Sequence, residues 1–167
     1  EFLAQERSFG EDAVAGDVVG LHDRGSLRVG DSLSVEPGIE YAGVPRFSPE
    51  RFAAVRLEDA LRRKHLDRGL RHLAEEGTIL LLYSESLTGP VPIVGAVGGL
   101  QLDVLVDRLE REYGVTARLE ALSFHCARWV TGPVAQARHV AGGPGRKLVE
   151  DAEGHPMMLF DSVWVMD

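Results

Sequence analysis

The chain has 167 residues, 44% of them apolar, which is enough for one ordinary domain with a real core and excludes disorder as its general state. Its 18 Lys and Arg stand against 26 Asp and Glu, a formal net charge of −8, which excludes a protein that coats nucleic acid through bulk positive charge; any RNA contact must be local. No apolar run approaches the roughly 18 residues that span a bilayer, no charged-then-apolar leader opens the sequence, and the single Cys126 allows neither an internal disulfide nor a zinc-type spacing, so a soluble cytoplasmic protein with no membrane partner is expected.

Residues 1 to 46 carry four basic and nine acidic groups. Short apolar pairs, Val18 with Val19 and Leu27 with Val29, are separated by Gly16, Gly20, Gly25 and Gly30, which is hairpin chemistry. Two or three short strands make no stable sheet alone, so this stretch reads as the tail of a domain that begins upstream. Turn formers from Glu36 to Pro49 place a domain boundary near residue 46. Beyond it the period changes. Residues 52 to 57 alternate as a strand with Ala53, Val55 and Leu57 on one side, and Asp59 caps a helix that ends at Gly77 and turns Leu66, Leu70 and Leu73 to one face. Residues 78 to 83 and 91 to 97 form a hairpin of two strands around Gly89 and Pro90. Leu102, Leu105, Val106, Leu109 and Tyr113 then mark an amphipathic helix stopped by Gly114. A last strand runs from Val115 through Ala117 and Leu119 to Trp129. The order β, α, β, β, α, β predicts an α+β, split βαβ (ferredoxin-like) fold, two helices covering one face of a four-stranded antiparallel sheet. Residues 131 to 167 read as a Gly/Pro-rich loop (141 to 147), an acidic turn and one more strand over 157 to 166.

A nucleotide-binding loop needs backbone amides around phosphate, followed by a lysine and a hydroxyl. The nearest strings are GAVGG (95 to 99), which has no lysine, and GGPGRK (142 to 147), which has Leu148 where the hydroxyl belongs. Close helix-to-strand approach accounts for Gly95, Gly98 and Gly99, and a mobile loop for the second string. His125 and Cys126 are strand neighbours facing opposite ways, so they share no metal, and His65 and His72 flank a charged helix where solvation accounts for them. Asp103 and Asp107 lie one helical turn apart on a solvated face, with Arg111 placed to pair with Asp107. Lys64, Arg68 and Arg71, at i, i+4 and i+7, lie opposite the leucine stripe and form a basic ridge. Two readings stand for it: an anion contact, or an ordinary solvated face with Glu75 paired to Arg71.

The string AGDVVGLHDRGSLRVGDSLS (15 to 34) is similar to the end of the second, β-barrel domain of translation factors. FSPERFAAVRLEDALRRKHLDRGLRHLAEEG (47 to 77), VGAVGGLQLDVLVDRLEREYGV (94 to 115) and ARWV (127 to 130) resemble the third domain of the release factor 3 family of bacterial translational GTPases; beyond residue 131 the resemblance thins, and the helix expected to close the family's C-terminus is not evident. The resemblance implies that residues 1 to 46 are the C-terminal part of the β-barrel and 47 to 167 the family's C-terminal domain, with a ferredoxin-like core over 50 to 130 and an extension over 131 to 167. It implies a parent protein that binds the terminating ribosome, meeting ribosomal RNA and ribosomal proteins, and recycles the stop-codon-reading release factors. GTP or GDP with Mg is expected in a GTPase domain outside this chain and joined to it in cis. This fragment is then expected to be no enzyme itself, with no cofactor, no metal and no catalytic residue, and with Lys64, Arg68 and Arg71 as ribosome-contact candidates. Two alternatives remain: an elongation factor G-like protein, or a small stand-alone enzyme such as an acylphosphatase, whose phosphate cradle after the first strand would here meet Glu58 and Asp59.

Overall fold

The computed structural model describes residues 12–24, 26–27, 29–41, 48–86 and 89–165. The expected boundary near residue 46, and Gly25 among the hairpin glycines, lie outside these. Described elements run β1 (Arg51–Leu57), α1 (Arg63–Glu75), β2 (Leu80–Ser84), β3 (Val91–Ala96), α2 (Gly99–Tyr113), β4 (Ala117–Leu122), β5 (Cys126–Trp129), α3 (Val134–Ala141), β6 (Arg146–Asp151) and β7 (Pro156–Phe160). The seven strands form one antiparallel sheet in the order β4-β1-β3-β2-β6-β7-β5. Its first four strands and the helices α1 and α2 are the expected split βαβ unit.

The alternation of β1 sets the first core. Ala53 and Val55 turn to the helices, where Leu66, Leu70 and Leu73 of α1 and Leu105 and Leu109 of α2 meet them over Leu81 and Val94. Asp59 accepts the Leu61 N–H at 3.0 Å and starts a 3-10 turn, Ala60–Arg62, that feeds α1. α2 ends in a Schellman arrangement: Gly114 is left-handed, its N–H reaches the Glu110 carbonyl, and the Val115 N–H reaches that of Leu109. The helices meet at Gly69, where a Cβ would lie 2.8 Å from Leu109 Cδ2 and 3.0 Å from Tyr113 Cγ. Arg108 ties the same pair together, 2.5 Å from Glu76 and 2.6 Å from Glu112.

The other face of the sheet is closed by the C-terminal strands. Six antiparallel steps separate β4 from β5, so the two edge strands run in the same direction, and only residues 123 to 125 join them. Four residue steps reach at most about 14 Å, whereas six strand spacings would set the edges of a flat sheet about 29 Å apart. The sheet must therefore coil until its edges approach. Phe52, Leu82, Ile93, Val149, Met157 and Leu159 form the buried interior of that coil, drawn from strands on both sides. α3 covers the outer face of the last three strands, over Met158 and Phe160. β7 is thus buried on both sides.

Several expectations are corrected here. The strand expected from Val115 to Trp129 is broken into β4 and β5, because residues 123 to 125 bend so that the second half pairs with β7 instead of β1. The strand expected over 157 to 166 stops at Phe160, and a 3-10 turn, Val163–Val165, follows. The expected mobile loop at 142 to 147 is a turn that delivers Arg146 and Lys147 into β6, and Arg146 donates to the Val165 carbonyl at 2.6 Å. Helix α3 was not expected, although Val134, Ala137 and Ala141 follow Pro133 at helical spacing. Gly95 does make a close approach, but to Phe52 and Pro49 rather than to a helix, and Gly98 and Gly99 face open space. Among the described residues of 12 to 41 the turns at Gly16, Gly30 and Gly38 are present and no strand is; Val18, Val19, Leu27 and Val29 bury no face that would hold a ladder.

Two substitutions test this packing. Leu159→Ala is expected to cost about 2–5 kcal/mol, as for a fully buried leucine, and urea unfolding followed by circular dichroism and by tryptophan emission should remain one coincident transition. Separate transitions would show two independent halves. Gly69→Val should destabilise by about 1–3 kcal/mol through overpacking against Leu109 and Tyr113, read as a lower urea midpoint.

Candidate nucleic-acid interface

With Leu66, Leu70 and Leu73 folded inward, α1 turns Lys64, Arg68 and Arg71 to solvent. Its first residue, Arg63, is engaged: Nε lies 3.3 Å from Asp67 Oδ1 and Nη2 donates to the Pro90 carbonyl at 2.8 Å. Lys64 and Arg68 make no ion pair among the described residues. The Arg71–Glu75 pair of the solvated-face reading is not formed; the Arg71 guanidinium stands by the Tyr83 phenol. Burial pushes that phenol up, against the pull of Arg71. The structure brings the three residues onto one outward face.

Beside the ridge, the β1–β3 ladder stops at Ala54 and Ile93, next to Pro92, which has no N–H to donate. A cleft of about 350 Å³ opens there, with Arg56 and Arg63 at its rim over Val55, Leu66 and Pro92. Arg56 is neutralised by Glu120 at 2.8 Å. Across β1 and β4, Glu58 pairs with Arg118, so the junction that a phosphate-binding enzyme would keep cationic carries a closed ion pair.

The remaining candidates separate. Asp107 pairs with Arg111 at 2.9 Å and Asp103 is exposed, as expected for a solvated face. His65 is exposed. His72 is not solvated: it is half-buried, its Nδ1 3.3 Å from the Tyr113 hydroxyl. His125 lies in the bend before β5, and Cys126 is half-buried under α3.

One cluster had no signal in the sequence. Asp151, Glu153 and His155 bring ligand atoms within 4.8 Å of one another. Asp151 is buried, and its carboxylate organises the β6–β7 turn: Oδ1 accepts the N–H of His155 at 2.6 Å and of Glu153 at 3.1 Å, and Oδ2 lies 3.0 Å from His155 Nδ1. Burial pushes the Asp151 carboxyl up, but the His155 N–H and ring, with the Glu153 N–H, outweigh it and hold the group below the usual carboxylate range.

The chain thus folds as an α-and-β domain whose ferredoxin-like unit carries a basic ridge on α1. A family model described as "Class II release factor RF3, C-terminal domain" matches residues 41–167. Peptide chain release factor 3 of Symbiobacterium thermophilum is 42% identical over 166 residues, 99% of this chain and 31% of that protein. The protein of the same name from Aromatoleum aromaticum is 41% identical over 162 residues, 96% of this chain and 29% of its own, and that from Trichodesmium erythraeum 38% over 164, 98% and 30%. The chain belongs to the class II release factor RF3 family. It spans about a third of the length of these relatives, and the family match favours release factor 3 over the elongation factor G and acylphosphatase alternatives.

The Asp151 turn predicts an acid limb to stability. A carboxyl held below its unfolded value stabilises the fold above about pH 4 and loses that contribution as pH falls through the lower, folded value. Asp151→Asn should therefore melt below the parent chain at pH 7, with the difference in Tm shrinking as pH drops below about 4. A pH-independent difference would show that the carboxylate charge is not what holds the turn.

Proposed function

We propose that this chain is the ribosome-seating C-terminal region of a translation-termination GTPase that recycles the stop-codon-reading release factors after peptide release. Family membership supports the process; the outward, unpaired Lys64 and Arg68, with Arg71 beside them, are the observation that carries the site. On this reading the parent works in the cytoplasm, where among the described residues no helix is long and apolar enough to cross a membrane. GTP or GDP with Mg is bound by a domain outside this chain, and residues 1 to 46 belong to the β-barrel that joins it. The fragment performs no catalysis. It acts as a rigid body, with the ridge fixing position on ribosomal RNA or on an acidic protein surface.

The test is made in the full-length parent factor. Replacing Lys64, Arg68 and Arg71 together by alanine should leave Tm and nucleotide binding unchanged, weaken ribosome affinity, and reduce the salt dependence of binding by a slope of about 3, since each phosphate contact on duplex contributes roughly 0.9. An unaltered affinity and slope would return the ridge to a solvated face. For the 167-residue chain alone, calorimetric titration should detect no guanine nucleotide binding; saturable micromolar binding would place the nucleotide chemistry within it.

A further inference from the structure

Arg63, Asp67 and Arg71 stand four residues apart and form one row along the flank of α1, beside the leucine stripe. That row runs over the β2–β3 hairpin: Arg63 Nη2 donates to the Pro90 carbonyl at 2.8 Å, at the entrance of β3, and Pro92 lies opposite Tyr83 in the β2–β3 ladder. Tyr83 shares the parity of Leu81 and packs half-buried against the core beneath α1, so its phenol emerges on this flank. Asp67 lies one turn from both arginines and is placed to pair with either. It takes Arg63, whose Nε lies 3.3 Å from Oδ1. Arg71 is then left without a carboxylate: neither Asp67 nor Glu75 pairs with it among the described residues, and its guanidinium meets the Tyr83 hydroxyl instead.

On the ridge reading above, we propose that Tyr83 is a positioning residue, its neutral hydroxyl holding the Arg71 guanidinium in one direction without cancelling the charge that the ribosome meets. A carboxylate in that place would fix Arg71 as well but would neutralise it. The phenol stays protonated near neutral pH, because burial pushes it up against the pull of Arg71. A free arginine loses side-chain freedom when it meets an anion, whereas Arg71 is restrained in advance. The Arg63–Asp67 pair serves the same end by occupying the one carboxylate that stands a turn before Arg71. Tyr83 touches no partner itself; it acts through Arg71.

The test is made in the full-length parent factor. Tyr83→Phe should bind the ribosome about threefold to tenfold more weakly at unchanged Tm and nucleotide binding, and the salt dependence should keep its slope, because Lys64, Arg68 and Arg71 all remain. Arg71→Ala should weaken binding and lower that slope by roughly 0.9. In the Arg71→Ala background, Tyr83→Phe should change nothing further, a result that a merely structural role for the ring would not produce. In the 167-residue chain, NMR of ring-labelled tyrosine should show Tyr83 titrating at higher pH in Arg71→Ala, since the pull of the guanidinium is gone. If Arg71→Ala weakens binding while Tyr83→Phe does not, if the two losses simply add, or if the Tyr83 titration stays in place, the ridge stands and the role of Tyr83 is overturned. If Arg71→Ala leaves affinity and slope unaltered, the place of Arg71 in the ridge falls, and the role of Tyr83 with it.

Discussion

Everything else in this domain hangs on the three residues that tie β4 to β5. A ferredoxin-like sheet covered by helices on one side leaves its other side to solvent, to a partner or to added structure. Here the link is too short to let the sheet lie flat, so the added strands are drawn across that side. Phe52, Leu82 and Ile93 acquire an interior, and the cost of coiling the sheet is offset by the apolar area that Val149, Met157 and Leu159 bring to it, each such side chain contributing about 1.5–3 kcal/mol on burial. One continuous direction of chain serves both edges, with a bend where a strand changes neighbours.

How much of this could be read from the sequence follows from where the signal is local. The leucine stripe of α1 is periodic over about two turns and the stripe of α2 over about three, and Gly114 stops its helix by a backbone conformation few other residues accept. Those elements stand where their pattern puts them. The outward face of Lys64, Arg68 and Arg71 follows from the same stripe and was equally legible. The alternation over 115 to 129 is real but says only that the chain is extended; which strand pairs with which half is a long-range fact, decided by residues 156 to 160. PMMLF has no alternation because both of its faces are buried, so its boundaries could not be placed by period. The hydrogen bonds of Asp151 stay within its own turn, two and four residues on, whereas the edge-to-face contact of His155 with Trp129 joins that turn to β5 and no spacing encodes it.

Charge is arranged more finely than a net value of −8 conveys. The acidic excess of the chain is reversed locally on α1, where Arg63, Lys64, Arg68 and Arg71 stand against Asp67 and Glu75 and the inward leucines leave the cations no other place. Arg63, engaged with Asp67 and Pro90, borders the ridge, and Arg71 within it stands by Tyr83.

The two-sided burial of β7 has a chemical consequence. Met157 points into the coiled interior and Met158 points under α3, so adjacent thioethers occupy two separate dry environments. Oxidation of either would place a polar sulfoxide oxygen where no water waits for it, the first loosening the seam between the two parts of the sheet, the second lifting α3. Both thioethers are shielded while the sheet is closed and become reactive only when it opens. The strand that completes the fold thereby also carries a chemical record of whether the fold has ever come apart.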